Sequence, residues 1–222
     1  MVHYREDSQS YQELLEFLRR ELNGSIPIAF GSDGAKSILN AMSAVFPNST
    51  HLVCTRHVRQ NIERHLIKAR ATLEQRRTLL QFIFDSPDSL VQSKTEAEFE
   101  DRMDILREIS NGIGDGEVST DNPSRNFIAW FERYQSNIFR THMLASVRLS
   151  IKYVDRDGKP LLYYNNDVEA TNHVLKVATN WEIKSLSDVI DIIERVMITQ
   201  KSDLIRSLYN TGDWELVPPY TR

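Results

Sequence analysis

Apolar residues recur along this chain with two different periods. Ile26, Ile28, Ala29 and Phe30 form a short run with a β-branched bias that stops at Gly31, the pattern of a strand covered on both faces. On either side of it the spacing is helical. Tyr11, Leu14, Leu15, Leu18 and Leu22 line one face of a helix that opens at Ser10 and closes at Asn23-Gly24. Ile38, Leu39, Met42, Val45 and Phe46 line a second helix, stopped by Pro47-Asn48. Leu52-Val53-Cys54 reads as the next strand, and from Arg56 to Arg77 the chain reads as one basic helix. The alternation of helix and strand argues for an α/β unit.

Beyond this point the periodicity is almost entirely helical. Leu79, Leu80, Phe82, Ile83 and Phe84 read as a buried helix end closed by Ser86-Pro87-Asp88. Thr95 to Glu98 offers a helix start with acids in the first turn, followed by a stripe of Phe99, Met103, Leu106 and Ile109. Asn111 to Pro123 is the clearest loop. Phe127, Trp130, Phe131 and Tyr134 return at helical spacing, where aromatics serve a core far more often than a platform for bases. Tyr153 to Tyr164, centred on Asp157-Gly158, reads as a hairpin. The next helix places Val168, Thr171, Leu175 and Ala178 on one face and Glu169, Asn172, His173 and Lys176 on another. Ser185 to Asp188 then forms a capping-box pattern ahead of Val189, Ile190, Ile193, Val196 and Met197. The tail, with Trp214 and Pro218-Pro219, reads as irregular.

Composition narrows the classes. With 222 residues, 41% of them hydrophobic, the chain can bury one large core or two small ones. No apolar run approaches the ~18 residues of a membrane span, and the N-terminus does not read as a signal peptide. The single cysteine excludes an internal disulfide and suits a reducing compartment. A net charge of -4 argues against a wholly basic nucleic-acid coat. The distribution changes that picture, because Arg56 to Arg77 carries seven Lys or Arg against only Glu63 and Glu74. Arg59, Arg64, Lys68, Arg70, Arg76 and Arg77 are the candidates for phosphate contact, which neutralises charge and releases counterions. The competing use is a solvated face, or pairing with the acidic segment from Glu96 to Asp121.

Three positions carry candidate chemistry. Asp33 lies just past the first strand's carboxyl end, where α/β sheets gather their ligands. It serves equally well as a helix cap. Glu169 sits in a first helical turn, where a dipole-stabilising acid is the commoner use. Cys54 and His57 make a Cys-x-x-His that could be half of a zinc site, but with only His51 and His65 nearby a dedicated site is not favoured. His57 reads instead as a first-turn helix residue and Cys54 as a small buried side chain.

Together these stretches resemble a known family. Gly31-Ser32-Asp33-Gly34 at a strand end, a helix finishing in Phe46-Pro47, and His51-Leu52-x-Cys54-x-x-His57 followed by Asn61 look like the catalytic core of Mutator-like element (MULE) transposases. Asn165-Asn166-x-x-Glu169-x-x-Asn172 followed by Lys176 is similar to that family's third-acid helix. The resemblance implies an RNase H-like fold in which two Asp and one Glu hold divalent ions, Mg²⁺ or Mn²⁺, for DNA strand cleavage and transfer. It implies that Asp33 is the second catalytic Asp and a metal ligand, that Glu169 is the catalytic Glu and a metal ligand, and that Cys54, His57 and Asn172 are family motif residues. Transposon-end DNA is the implied partner, with a homo-oligomer left open and no membrane. The implied location is nuclear in a eukaryote and otherwise intracellular.

The expected fold class is therefore α/β: a partial RNase H-like core, with strands near 26–30 and 51–54, and a large mainly helical insertion. Residues 1–64 are expected to form the partial core, 65–152 the insertion, 153–205 the core completion with the third-acid helix, and 206–222 the irregular tail. Three strands bearing the first catalytic Asp are expected ahead of Ser10 and are not found, since Asp7 follows no apolar strand. The chain is thus expected to be a fragment of a DDE-type transposase core, inactive alone. The alternative is a domesticated, non-catalytic module that binds DNA or protein.

Overall fold

The computed structural model describes residues 7–22, 26–113 and 126–213, apart from the side chains of residues 167 and 168. Asn23-Gly24, the Asn111 to Pro123 loop beyond Ile113, the acidic stretch up to Asp121, and the tail with Trp214 and Pro218-Pro219 fall at least partly outside them. The chain divides into two units, residues 1–165 and 166–222.

The first unit opens with α1 (Ser8–Glu21), two residues earlier than the apolar stripe suggested. The reason is Asp7, whose carboxylate accepts the Ser10 amide as an N-cap. Strand β1 (Ala29–Ser32), α2 (Lys36–Val45), β2 (Thr50–Val53) and α3 (Thr55–Lys68) follow. The two strands are parallel, with Ala29 opposite Thr50 and Ser32 opposite Val53. This matches a mainly helical α/β chain, and the strands fall near the expected positions. Three details differ. β1 does not stop at Gly31 but runs through it to Ser32. Nor is the Ile26–Phe30 run covered on both faces: Ile28 is 75% exposed and Ile26 57%. Among the described residues β1 has one neighbouring strand, so the residues entering it lack a second layer.

The third difference is in the basic segment, which is two helices. α3 ends at Lys68, Arg70 takes a left-handed φ of 59°, and α4 (Leu73–Leu80) starts at Thr72. Thr72 and Gln75 exchange side-chain and backbone hydrogen bonds in a capping box, which gives α4 its own beginning.

α4 runs into a π-turn (Gln81–Asp85), then α5 (Glu96–Ile109), α6 (Phe127–Tyr134), α7 (Ser136–His142) and α8 (Ala145–Ser150). Val53 of β2, Ile62, Leu66, Ile83, Phe99 and Phe131 belong to one core built mostly from these helices. Phe30 of β1 packs instead with the smaller cluster of α1 and α2, around Leu15, Met42 and Phe46. The aromatics of α6 are core, as their spacing indicated: Phe127 and Phe131 are fully buried, and Trp130 stacks on His65 at 3.9 Å between ring centroids.

Among the described residues Arg148 is the largest fully buried side chain, and no carboxylate among them pairs with it. Its guanidinium donates to the carbonyls of Met143, Val91 and Pro160 and to Gln92 Oε1. Through Pro160 it ties the helical core to a turn in which Val154 bridges Pro160 and Gly158 takes a φ of 78°.

The second unit holds α9 (Asn166–Ala178) and α10 (Leu186–Leu208), packed on each other. Asn180 and Trp181 both take left-handed φ values between them. Ser185 caps α10 by accepting the Asp188 amide. Among the described residues no helix is long and apolar enough to cross a membrane.

Candidate functional site

Parallel pairing of β1 and β2 brings the residues after both strands to one edge. Asp33 leaves the end of β1, and Cys54 leaves the end of β2, one residue beyond the Ser32–Val53 pair. The Cys54 amide donates to the Ser32 carbonyl at 2.8 Å, which closes the edge. Gly34, at φ 87°, turns the chain away there, and a Cβ on it would come within 2.8 Å of Val53 Cγ1. Position 34 therefore requires glycine on two counts.

Asp33 is exposed at this edge, and its Oδ1 accepts the amide of Ala35 at 3.0 Å. That contact is a local turn of the aspartate on itself. It is not a helix cap, because the cap position of α2 is Ala35. Ser32 Oγ accepts the Gly34 amide and lies 2.7 Å from His51 Nε2. The hydroxyl has a second lone pair as well as its proton, so the direction of the Ser32–His51 bond follows the imidazole tautomer. Burial pushes the His51 pKa down to about 4; the nearby His142 lowers it further, and Asp33 opposes both. His142 donates through Nδ1–H to the His51 carbonyl, 2.9 Å away, and burial lowers its pKa as well. The two imidazoles line a cavity of about 220 Å³ together with Phe30, Met42 and Phe46.

Cys54 is fully buried at the cap position of α3, and His57 is half-buried in that helix's first turn. The thiol has a use the sequence did not reveal: Cys54 Sγ accepts the Asn165 amide at 3.3 Å. Beside it the Thr55 amide donates to the Tyr163 carbonyl at 2.9 Å. Residues 163–165 thus form a strap across the strand edge. The strap accounts for Gly31, since a Cβ there would fall 2.0 Å from Tyr163 Cζ.

Of the cations on α3 and α4, Arg59 is engaged within the protein. It makes a two-pronged ion pair with Asp85, at 2.6 and 2.8 Å, and its guanidinium lies over the Phe84 ring. Arg64, Lys68, Arg70 and Arg77 are exposed and make no ion pair among the described residues, and Arg76 is half-buried. The acids of α5 are paired elsewhere: Glu96 and Glu100 with Arg140, Asp104 with Arg107. Pairing of the basic helices with this acidic segment, the competing use read from the sequence, is not seen among the described residues.

Glu169 is in the second unit, half-buried on α9, and Asn172 is exposed on the same helix. A divalent ion such as Mg²⁺ takes several oxygen ligands. No group of three or more His, Cys, Asp or Glu is placed to hold a metal ion among the described residues. The site edge of the first unit supplies one suitable carboxylate, that of Asp33.

Residues 2–61 match the MULE transposase domain. The matched stretch contains Asp33, Cys54 and His57, and the strand-end and Cys-x-x-His motifs fall within it. No curated protein and no solved structure matches the chain.

Proposed function

We propose that this chain is part of a DDE-type DNA transposase core, in which Asp33 and Glu169 are catalytic carboxylates that take Mg²⁺ or Mn²⁺, and α3 and α4 lie against DNA. The observation that carries the reading is the strand edge inside the matched stretch: an exposed Asp33 and a capping Cys54 at the carboxyl ends of two parallel strands. Cys54, His57 and Asn172 support the site as motif residues, Cys54 through its hold on the strap. Among the described residues no three His, Cys, Asp or Glu are grouped to hold a metal ion, and Asp33 and Glu169 are the two ligands this reading supplies. The RNase H-like form of the core and a nuclear location are further parts of the proposal.

The DNA contact comes from Arg64, Lys68, Arg70, Arg76 and Arg77, with Arg59 held back by Asp85. Non-specific affinity from phosphate contacts falls steeply with salt, roughly as the -0.9 power of salt concentration per contact. Fluorescence anisotropy with a labelled duplex at several salt concentrations is the test. Alanine at Arg64, Lys68, Arg70 and Arg77 together is expected to flatten the slope by about 3 to 4. Asp85→Ala is expected to steepen it by about 1 as Arg59 is released. A wild-type chain that ignores the duplex at low salt overturns the reading.

The second reading is a domesticated transposase relative that binds DNA or protein without chemistry. The unpaired cations favour it as much as the first. The discriminating measurement is Mn²⁺ binding by electron paramagnetic resonance. Loss of bound Mn²⁺ in both Asp33→Asn and Glu169→Gln supports the catalytic lineage, and indifference to both supports the module.

A further inference from the structure

α10 carries exposed apolar residues as well as a buried side. At 100° per residue, Val189, Ile192, Val196, Asp203 and Ser207 fall on one side of the helix, and these are its buried or half-buried positions. Leu186, Ile190, Ile193, Met197, Leu204 and Leu208 fall on another, and their exposure runs from 37% to 63%. The spacing of this second stripe is 4, 3, 4, 7 and 4, which keeps to the 3.5-residue repeat of a helix that pairs with another helix. It runs the length of a 23-residue helix.

We propose that this stripe docks against the same stripe of a second copy of this chain, with the two α10 helices antiparallel. Charge complementarity selects that occupant and that direction. Glu194 and Lys201 flank the stripe on the same side, seven residues apart, and neither makes an ion pair among the described residues. In an antiparallel pair centred near Met197, each Glu194 faces the partner's Lys201, and the arrangement repeats by symmetry. A parallel pair in register leaves both charges without a counterpart. The stripe offers roughly 500 Å² of apolar surface per copy, so the pair would bury on the order of 1,000 Å², the size at which a specific interface begins. The apolar layers are Ile190 against Leu204 and Leu186 against Leu208 of the other copy. Gln200, just beside the seam, is a polar position of the kind that fixes register.

Sedimentation equilibrium of the full chain, without DNA or metal, is the test, so its outcome is independent of the transposase reading. The wild-type chain is expected to dimerise in the micromolar range. Met197→Glu is expected to give a particle of 25.8 kDa with unchanged helical circular dichroism. Glu194→Lys and Lys201→Glu, each alone, are expected to weaken the dimer at least tenfold, and mixing the two variants is expected to restore it. A wild-type monomer at ~100 μM overturns the proposal, as does a dimer indifferent to Met197→Glu. Recovery that fails on mixing overturns the antiparallel pairing.

Discussion

The Asn165 amide donates its hydrogen bond to the sulfur of Cys54, 111 residues earlier in the chain. A thiol is a weak acceptor, yet this one is fully buried, and the amide has it as its partner. Cys54→Ala is therefore expected to cost about 1 to 3 kcal/mol, combining a small cavity with an unpaired amide. Urea unfolding measures the cost. Hydrogen exchange at Asn165 locates it, and an amide exchanging no faster than in the wild type would show that the thiol is mere filler.

Gly31 and Tyr163 are a matched pair, one lacking the atom that the other's ring displaces. Gly31→Ala is expected to destabilise by about 2 kcal/mol or more, because the strap must lift from the strand edge. Tyr163→Ala makes room, so the double variant is expected to be more stable than the sum of the two single effects predicts. A double-mutant cycle with no coupling energy would place the phenol ring somewhere else.

His51 makes the fold acid-sensitive. Its folded pKa of about 4 lies below the unfolded value of 6.5, so below pH 6.5 the unfolded chain takes up a proton that the folded chain refuses. Its contribution is intact above pH 6.5, declines between 6.5 and about 4, and is flat below that. The loss is on the order of 2 kcal/mol, and His142 shifts in the same direction. His51→Asn is expected to remove part of the difference between urea midpoints at pH 7.5 and pH 4.5. An unchanged difference assigns the acid sensitivity to carboxylates instead.

Arg148 is buried with backbone carbonyls in place of a carboxylate, and burial lowers its pKa to about 10. Arg148→Met strands the carbonyls of Val91 and Pro160 without donors and is expected to cost about 3 to 5 kcal/mol. Arg148→Lys keeps the charge, but its three donors leave one nitrogen and cannot span carbonyls that the guanidinium reaches from Nε, Nη1 and Nη2, so it is expected to recover less than half of that. Faster exchange of the Asp155 amide, which bonds the Lys159 carbonyl in the adjoining turn, is the local readout.

The elements were legible where one local rule decided them. The stripes of α1, α2 and α10 and the strand at Leu52-Val53 follow from periodicity, and the edge holding Asp33 and Cys54 follows from two strands joined by a helix. The break at Arg70 was missed although Thr72-x-x-Gln75 spells a capping box, because that signal lies within a run of good helix formers. The solvent exposure of Ile28 was hidden too, since an apolar run states a preference and not the presence of a covering layer. The strap over Gly31, the use of the Cys54 thiol and the Arg59–Asp85 pair depend on contacts 26 to 132 residues apart. One weak signal existed for the strap: a glycine inside a strand marks a close approach.

The corner at Arg70 sets the geometry of any charged ligand these helices meet. An unbroken helix through this segment would lay its cations along one straight line of about 33 Å, at 1.5 Å per residue. Two helices joined by a left-handed residue spread the same cations along two directions, so the exposed guanidinium and ammonium groups form a patch and not a rail. A patch meets phosphates on both sides of a groove, or at a bend, more readily than a single strand followed over its length. The selectivity of such a surface lies in the curvature of the polyanion.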